Sequence, residues 1–321
     1  PAIAVVLALS LAPAMAENPQ PRKIYSGWVP YYSMKTSLPA VLNNIDLIRE
    51  VMPFWYSLDS ATKVTDLYSP ANPNNPISDT LSKIRQAGYL IIPTITDSTA
   101  ARDPKTGKMA TMILSNLLAD SAKRDLVVQT ITNFVLTNNF DGIDLDFEGF
   151  AFVDGNSTWS TTAPSWVAFV KELSVALRAE KKLLSVSTPY VLNPKDAQKG
   201  YFVYAWAGIA SSIDKLRIMT YDYSVSKVGP LGPITWAERT VQYAVSIMPA
   251  SKVFVGVPGY GRDWVTAVSG VCPANVINTI KPGAKAATFV MRDAQALAAT
   301  YGAVPTYDEK FGEMTFSYQK V

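Results

Sequence analysis

Residues 141–150, DGIDLDFEGF, hold the side chains of this chain that are best suited to chemistry. Four of them are acidic, namely Asp141, Asp144, Asp146 and Glu148. The last three alternate with the apolar residues Ile143, Leu145 and Phe147. Side chains at i, i+2 and i+4 of a β-strand lie on one face. We therefore expect a strand with three carboxyl groups on one face and apolar side chains facing covering helices on the other.

The acidic row, defined as Asp144, Asp146 and Glu148, predicts an unusual protonation state. Three neighbouring buried carboxylates repel one another, so at least one should hold a proton, with the pKa of Glu148 or Asp146 raised. A protonated carboxyl group can act as the general acid in cleavage of a glycosidic bond. The same spacing also suits ligands of Mg²⁺ or Ca²⁺, or a structural hydrogen-bond cluster, and spacing alone leaves these alternatives open.

The composition of the 321 residues narrows the remaining chemistry. There is no histidine, which excludes a Ser-His-Asp triad, a Cys-His pair and the common His-based zinc sites. Cys272 is the single cysteine, so the chain cannot close an internal disulfide or build a four-cysteine metal site. The net charge of +3 and the lack of a Lys/Arg block argue against nucleic-acid binding. Acid–base chemistry must therefore come from Asp, Glu, Tyr or Lys.

Apolar runs typical of β-strands recur along the chain, with segments of helical period between several of them. The strand-like runs are 23–32, 51–58, 89–96, 140–148, 183–191, 215–223 and 252–260. The helical segments are 121–139, opened by Ser121, 166–177, with Pro164 near its start, and 235–248. Repeated strand-then-helix units predict parallel pairing, and their regular repetition favours a (β/α)8 TIM barrel over a doubly wound sheet. Catalytic residues of such barrels lie at the carboxyl ends of the strands.

Three regions are predicted from the composition along the chain. Residues 1–16, with the apolar run AIAVVLALSLA and the cleavage-type AMA, are a partial signal peptide, so we expect a secreted or cell-wall-associated protein. Residues 17–263 are the catalytic barrel with strands 1–7. Residues 264–321 are an α+β insertion after strand 7, with a helix near 291–301. We expect the eighth strand to be missing from the chain and the insertion to be truncated.

Several segments resemble glycoside hydrolase family 18, the chitinase-like enzymes. DGIDLDFE (141–148) matches the family signature DGxDxDxE at all four acidic positions and the glycine. MTYDY (219–223) resembles the strand-six Met-x-Tyr-Asp, and GVPGYGRDW (256–264) resembles the strand-seven G-x-P-x-Y-G-R. GWVPYY (27–32) with PFWYSL (53–58) is similar to the first two strands of bacterial members. The family's strand-three Ser-x-Gly-Gly is absent, and IIPTITDS stands in its place.

The resemblance implies a retaining mechanism in which the 2-acetamido group of the substrate is the nucleophile. Glu148 would protonate the leaving glycosidic oxygen and then deprotonate the incoming water. Asp146 would hold the acetamido N–H, and Asp144 would share a proton with Asp146. Tyr221 would donate its hydroxyl hydrogen to the acetamido oxygen. These four residues are the catalytic residues that the resemblance implies.

The candidate substrate-binding residues come from the same motifs and from aromatic residues at strand ends. They are Met219, Asp222, Tyr260, Arg262, Tyr31 and Trp55. The resemblance implies that Met219 packs beneath the sugar and that Asp222 binds the sugar or the water. Arg262 would donate hydrogen bonds, and the aromatic rings would stack on apolar sugar faces, although ordinary packing at a barrel end is the alternative for each ring. Asp141, on the opposite parity to the acidic row, is expected to be structural.

We therefore expect a secreted glycosidase that cleaves β-1,4-linked N-acetylglucosamine polymers, with chitin as the leading substrate. Peptidoglycan and N-glycan cores are alternative substrates. A catalytically inactive chitin-binding lectin and a metal-dependent hydrolase are alternative functions. The expected partner is an oligosaccharide or polysaccharide that contains N-acetylglucosamine. We expect no cofactor, no resident metal, no nucleic acid, no membrane, and a monomer when the chain is full length.

Overall fold

The computed structural model describes residues 25–97, 107, 110–280 and 286–320. The signal peptide expected at 1–16 lies outside these residues and stays a prediction. Within the described ranges, no helix combines the length and the apolar character needed to cross a membrane.

The central sheet is built from the predicted apolar runs. The strands of the central sheet are β1 (Tyr25–Pro30), β2 (Ile48–Ser60), β3 (Lys63–Asp66), β4 (Leu90–Ile91), β5 (Thr94–Asp97), β6 (Gly142–Asp146), β7 (Leu183–Pro189), β8 (Lys215–Met219) and β9 (Val253–Val255). Four further strands, β10 (Tyr260–Asp263), β11 (Ala287–Val290), β12 (Thr306–Asp308) and β13 (Glu313–Thr315), form two separate hairpin-like pairs. Seven strands of the central sheet join in the order β1-β2-β5-β6-β7-β8-β9, with parallel pairing throughout. β4 also pairs in parallel with β2, so β4 and β5 are two parts of one barrel strand. Each predicted run is confirmed as a strand of this sheet.

The sheet is a TIM barrel that lacks an eighth strand within the part of the chain that the structure describes, as predicted. β1 and β9 form its two edges. β3 pairs antiparallel with β2 and extends that strand as a hairpin at its carboxyl end. The parallel order brings the carboxyl ends of β5, β6, β7 and β8 to one mouth of the barrel, where the candidate residues lie.

The helices lie between and after the strands. They are α1 (Met34–Leu42), α2 (Tyr68–Ala71), α3 (Ile77–Gln86), α4 (Ile113–Ala119), α5 (Ser121–Thr137), α6 (Gly149–Phe152), α7 (Trp159–Ala179), α8 (Trp206–Ile209), α9 (Ile234–Ile247), α10 (Ile277–Ile280) and α11 (Ala294–Thr300). The longer ones among α1 to α9 cover the outer face of the sheet. The face predicted for 166–177 is buried, because Trp166, Phe169 and Leu173 are inaccessible to solvent. Phe147 of the acidic segment packs on this face, with its ring centroid 6.0 Å from that of Phe169. The predicted split between carboxyl groups inside the barrel and apolar residues toward the helices is therefore confirmed.

One predicted helix start differs from the structure, and another is confirmed with a different capping residue. α7 begins at Trp159 and contains Pro164, which was expected near the first turn. The extra turn is held because the buried Trp159 indole donates a hydrogen bond of 3.0 Å to the carbonyl oxygen of Phe150. α5 does start at Ser121, but its cap is Asp120, whose carboxylate accepts from the backbone N–H of Ala122 at 3.0 Å. A carboxylate at this position satisfies amide hydrogens that have no partner within the helix.

The carboxyl-terminal part of the chain forms a small α+β unit on the same side as the barrel mouth. β10 pairs antiparallel with β11, β12 pairs antiparallel with β13, and α11 confirms the helix expected near 291–301. Glu313 fastens this unit to the loop between β8 and α9, since its carboxylate accepts from the backbone N–H groups of Leu231, at 2.8 Å, and Gly232. The unit therefore places Tyr260 and Arg262, both on β10, close to the end of β8.

Candidate active site

The acidic row lies at the mouth of the barrel, on the strand at its centre. Asp144 and Asp146 are on β6, which pairs with β5 on one side and β7 on the other. Glu148 follows the end of β6 and immediately precedes α6. The backbone between them is held by Tyr204, whose buried hydroxyl donates a hydrogen bond of 2.8 Å to the carbonyl oxygen of Phe147. Parallel neighbours and this anchor fix the order of the three carboxyl groups from the interior to the mouth.

Asp144 is the innermost carboxyl group and is completely buried. It accepts three hydroxyl hydrogen bonds, from Thr94 at 3.1 Å, Ser185 at 2.6 Å and Ser187 at 2.8 Å. The guanidinium Nε of Arg217 is 3.7 Å from Asp144 Oδ1. Burial raises the pKa of Asp144, and the cation and the three hydroxyl groups act against that rise. Its polar atoms are therefore occupied by protein partners.

Asp146 is the middle carboxyl group, and one of its oxygens is unoccupied. Its Oδ1 is buried and has no hydrogen-bond partner among the described residues. Burial, with the charges of Glu148, Asp144 and Asp97, raises the pKa of Asp146 well above its ordinary value. A buried acceptor without a donor is costly and rare in proteins, and it often marks a functional position. The raised pKa favours the protonated form of Asp146, and its free Oδ1 can accept a hydrogen bond from a ligand.

Glu148 is the carboxyl group nearest the mouth. Burial and the charges of Asp97 and Asp222 raise the pKa of Glu148 to about 7. Asp97, at the end of β5, accepts hydrogen bonds from the backbone N–H groups of Glu148 at 3.2 Å and Gly149 at 2.9 Å. A carboxyl group with a pKa near neutrality is suited to donate a proton and later to accept one. The sequence prediction that Glu148 or Asp146 would have a raised pKa is confirmed for both.

Tyr221 follows β8 and stands beside the acidic row. Burial and the charge of Asp146 raise the pKa of the Tyr221 hydroxyl, so it remains a hydrogen-bond donor. Gly256 makes room for its ring, because a Cβ there would lie 2.9 Å from Tyr221 Cε1 and 2.6 Å from the carbonyl oxygen of Ile218. Met219, two residues before Tyr221, is half-buried at the end of β8. Gly256 therefore positions the ring of Tyr221.

The candidate binding residues Asp222, Tyr260 and Arg262 form one cluster. Asp222 Oδ1 accepts hydrogen bonds from the Tyr260 hydroxyl at 2.7 Å and from Arg262 Nη2 at 2.6 Å. The Tyr260 ring also lies 6.1 Å from the Tyr221 ring in an edge-on arrangement. Asp222 has a left-handed backbone with φ of 59°, which this pair of donors helps to hold. The cluster joins the end of β8 to β10 at the edge of the acidic row.

The two remaining aromatic candidates differ, because Trp55 lies in the core whereas Tyr31 follows the carboxyl end of β1. Tyr31, just after β1, is partly buried, and its ring contacts the exposed Tyr32 at 5.2 Å. Trp55 is completely buried, with its ring centroid 4.4 Å from that of Tyr68. The prediction of a sugar-stacking Trp55 is corrected, because its ring has no exposed face.

The reason for the correction lies in the register of β2 with β5. Phe54 pairs with Thr94 and Tyr56 pairs with Ile95, so Trp55 is the extra residue of a β-bulge. A bulge changes the alternation of side chains along a strand. The half-buried Phe54 is the aromatic residue that pairs with Thr94, the partner of Asp144.

Asp141 is confirmed as structural. Its carboxylate accepts a hydrogen bond of 2.7 Å from the backbone N–H of Ile91, and so ties the start of β6 to β4. No role was predicted from the sequence for Asp97 or for Arg217. A signal for Arg217 was present, since Lys215 and Arg217 alternate with apolar residues on β8 at the parity of Met219.

The arrangement supports acid–base chemistry at a buried site, where the pKa values of Asp146 and Glu148 are both raised. Glu148 can supply a proton, Asp146 offers a free acceptor, and Tyr221 offers a hydroxyl donor. Across 25–97, 107, 110–280 and 286–320, no group of three or more His, Cys, Asp or Glu side chains has the geometry to hold a metal ion.

Comparisons with known proteins give the family. The model described as Glycosyl hydrolases family 18 matches residues 106–319, which is more than half of the chain. A Bacillus subtilis (strain 168) protein named as the sporulation-specific glycosylase YdhD is 24% identical over 280 residues, which cover 87% of this chain and 61% of that protein. The chain thus spans less than two thirds of the length of this curated relative.

Solved structures share the fold. The chitinase from Chromobacterium violaceum ATCC 12472 superposes with a TM-score of 0.72 at 23% identity, over 93% of this chain and 82% of that one. A Cycas revoluta class V chitinase mutant in complex with (GlcNAc)3 gives a TM-score of 0.67 at 18% identity, over 91% and 84%. The family match and the DGIDLDFE strand at the barrel mouth lead to one conclusion: the chain belongs to glycosyl hydrolases family 18.

Proposed function

We propose that this chain is the catalytic part of a retaining glycosidase that cleaves β-1,4-linked N-acetylglucosamine polymers, with chitin as the leading substrate. The observation that carries the proposal is the pairing of Glu148, whose pKa is raised to about 7, with the buried, unpartnered Oδ1 of Asp146. An acid at the barrel mouth and a vacant acceptor beside it suit a substrate that carries both a glycosidic oxygen and an amide N–H.

In the first step, Glu148 transfers its proton to the glycosidic oxygen, and the bond from that oxygen to the anomeric carbon breaks. The acetamido oxygen of the same sugar attacks the anomeric carbon and forms an oxazolinium ion. Asp146 Oδ1 accepts the acetamido N–H, and Tyr221 donates its hydroxyl hydrogen to the acetamido oxygen. Both contacts position the nucleophile, and the carboxyl group of Asp146 stabilises the positive charge that develops on the ring.

In the second step, the ionised Glu148 takes a proton from water as the water oxygen bonds to the anomeric carbon. The oxazolinium ring opens, the acetamido group is restored, and the configuration at the anomeric carbon is retained. The cluster of Asp222, Tyr260 and Arg262 lies beside this reaction and offers exposed polar atoms to the sugar. Met219 packs beneath the sugar in this proposal.

A cell-wall glycan is the second candidate substrate. The similarity to a protein named for sporulation favours it, because such a role suggests a bacterial wall polymer that also contains N-acetylglucosamine. The reacting groups would be the same, since both polymers carry an acetamido group next to the scissile bond. Export of the protein, a monomeric state and the absence of a cofactor also belong to the proposal.

The deciding experiment compares chitin oligomers, peptidoglycan and fully de-acetylated oligomers as substrates of the full chain and of Glu148→Gln. We expect cleavage of an acetylated substrate, none of the de-acetylated one, and a loss of about 10²–10⁴-fold or more in the variant while oligosaccharide binding persists. Rapid cleavage of the de-acetylated oligomer, or a covalent adduct on Asp144 or Asp146 found by mass spectrometry, would show that the nucleophile is wrong. Activity that EDTA abolishes would favour the metal-dependent alternative.

A further inference from the structure

Beneath the acidic row, the interior of the barrel holds a buried group of charges. Glu50 on β2 accepts a hydrogen bond of 2.8 Å from Arg217 Nη2 and one of 2.5 Å from Lys215 Nζ, both on β8. The Ser26 hydroxyl donates to the same carboxylate at 2.7 Å. Arg217 and Glu50 are almost completely buried, with 2% and 1% of their surfaces exposed. This group, Glu50, Lys215 and Arg217, is the interior ion cluster.

The interior ion cluster is connected to Asp144 through Ser185. Arg217 Nε donates to Ser185 Oγ at 2.8 Å, and Ser185 Oγ donates to Asp144 Oδ1 at 2.6 Å. A guanidinium group can only donate, so the serine oxygen accepts from Arg217 and its own hydrogen is left for Asp144. The direct distance from Arg217 Nε to Asp144 Oδ1 is 3.7 Å. Both connections favour a negatively charged Asp144.

A second hydrogen-bond path ends on the other oxygen of Asp144. The Trp28 indole N–H donates to Thr94 Oγ1 at 3.1 Å, and Thr94 donates to Asp144 Oδ2 at 3.1 Å. An indole also can only donate, so the direction of this path is fixed in the same way. Ser187 supplies a further donor to Oδ2 at 2.8 Å. Asp144 therefore faces donors from β5, β7 and β8.

The charges of the interior balance only with Asp144 ionised. Lys215 and Arg217 bring two positive charges, and Glu50 brings one negative charge. A protonated Asp144 would leave a buried net charge of about +1, which is unfavourable in an interior of low dielectric constant. An ionised Asp144 makes the sum of the four charges zero.

We propose that Arg217, anchored by Glu50, is a positioning residue that keeps Asp144 ionised, so that the proton of the acidic row resides on Asp146. The inference deepens the proposed function and rests on it for its consequence in turnover. It assigns the two inner carboxyl groups different roles: Asp144 is a fixed negative charge, and Asp146 is the group that carries the proton beside the substrate.

Charged groups surround Asp144 and Asp146 on the inner side and at the mouth of the barrel. Arg217 and, behind it, Lys215 and Glu50 lie on the inner side of Asp144. Glu148 and Asp97 act on Asp146 from the mouth, and both are negative when ionised. Asp222 acts on Glu148 from the end of β8. Arg217 is thus the cation nearest to the row on its inner side, and its removal should move a proton inward.

The test uses ¹³C NMR of the full chain labelled at aspartate carboxyl groups, with Asp144→Asn and Asp146→Asn to assign the two resonances. In the unmodified chain, Asp144 should keep the chemical shift of an ionised carboxylate to a lower pH than Asp146. In Arg217→Met, the pKa of Asp144 should rise by about 1–3, because an opposite charge within 4–6 Å shifts a carboxyl pKa by that amount. The pKa of Asp146 should fall in the same variant, since its neighbour is no longer charged.

Glu50→Gln is the matched control, because it breaks the same ion pair and leaves the cation beside Asp144. It should not raise the pKa of Asp144, whereas a merely structural role predicts the same rise in both variants. Thermal melting shows whether Arg217→Met folds. If it does not, the NMR titration curves of Asp144 are compared between the unmodified chain and Arg217→Lys, which keeps the charge and loses the Nε donor. A proton that binds Asp144 before Asp146 in the unmodified chain overturns the inference.

The NMR readout needs no turnover, so two failures can be told apart. If the unmodified chain cleaves no N-acetylglucosamine oligomer but Asp144 stays ionised, the proposed function fails and the assignment of the proton stands. If the chain is active and Asp144 titrates first, only this inference fails. In an active chain, Arg217→Met should also lower kcat more than it raises KM, since Arg217 lies below the sugar-facing residues.

Discussion

The buried carboxylate of Asp97 accepts a hydrogen bond of 3.2 Å from the backbone N–H of Glu148. The pKa of Asp97 is itself raised to about 6, chiefly by burial, although the N–H groups of Gly149 and Glu148 lower it. Asp97 therefore fixes the backbone of the proposed acid and, once ionised, places a negative charge beside it. The contact links the position of Glu148 to its pKa.

Asp97→Asn should shift the pH dependence of activity to lower pH. Glu148 must be protonated to act as the acid, so kcat/KM should fall as the pH rises through its pKa of about 7. The amide introduced by this substitution carries no charge and no longer disfavours the ionised Glu148, which lowers that pKa. The measurement is kcat/KM from about pH 4 to 9, a range that spans the ordinary and the raised pKa of the acid, on a soluble N-acetylglucosamine oligomer. An alkaline limb that does not move would contradict this role of Asp97.

The free energy of unfolding should decrease as the pH rises from about 5 to 8. The folded chain has raised pKa values at Glu148, about 7, and Asp97, about 6, so it binds protons that the unfolded chain releases near pH 4. Their stabilising contribution is complete below the unfolded pKa values and is lost as the pH rises through the folded ones. Thermal melting at fixed ionic strength measures the effect.

Glu148→Gln and Asp97→Asn should each make this pH dependence of stability shallower, because each removes one group with a raised pKa. Glu50 has a lowered pKa, since hydrogen bonds from Lys215, Arg217 and Ser26 outweigh its burial. Its contribution has the opposite sign, but it changes only below its ordinary pKa of 4.5. Melting temperatures that are equal at the two ends of this pH range would show that the carboxyl groups are not perturbed in this way.

Gly256→Ala should reduce both activity and stability. Its Cβ would lie 2.6 Å from the carbonyl oxygen of Ile218 and 2.9 Å from Tyr221 Cε1, so the strand or the ring must move. Overpacking of this kind costs about 1–3 kcal/mol, and displacement of Tyr221 should lower kcat. Gly259→Ala is the matched control, because a Cβ there meets no atom within 4 Å. Equal losses of activity and stability in the two variants would show that displacement of Tyr221 is not their cause.

Tyr260→Phe distinguishes two roles of this ring. If Tyr260 acts only by stacking on the sugar, the phenylalanine ring should preserve binding. The structure shows its hydroxyl donating to Asp222 at 2.7 Å, so we expect a rise in KM of roughly tenfold, the size of one hydrogen bond to a charged group. Steady-state kinetics on a chitin oligomer measure KM. Tyr32→Phe is the control, because the ring of Tyr32 is exposed and lies on the β1 side of the barrel.

Asp146→Asn and Tyr221→Phe should both weaken inhibition by a thiazoline analogue of the oxazolinium ion. In the proposed mechanism each residue holds one side of the acetamido group, so loss of either should raise the inhibition constant by more than it raises KM. Competitive inhibition assays on the two variants and the unmodified chain give both numbers. An inhibition constant unchanged in both variants would place the acetamido group elsewhere.

Local sequence patterns were enough to identify the elements that carry the site and the face on which the acidic row lies. Alternation along 142–148 fixes which side chains share a face, because the period of a β-strand is a property of the local backbone. Strand runs separated by helical segments fix parallel pairing and so bring strand ends to one mouth. Asp144, Asp146 and Glu148 could therefore be placed, together with the raised pKa of the outer two, and Asp141 could be set apart by its parity.

The contacts between strands that are distant in the chain could be known only from the folded molecule. Trp55 was misplaced because a bulge depends on the register between β2 and β5, which no local pattern records. The partners of the acidic row come from far away in sequence: Asp97 is 51 residues from Glu148, and Thr94 is 50 residues from Asp144. The protonation of a buried carboxyl group depends on such neighbours and on burial, so the choice between Asp144 and Asp146 follows from packing rather than from the motif.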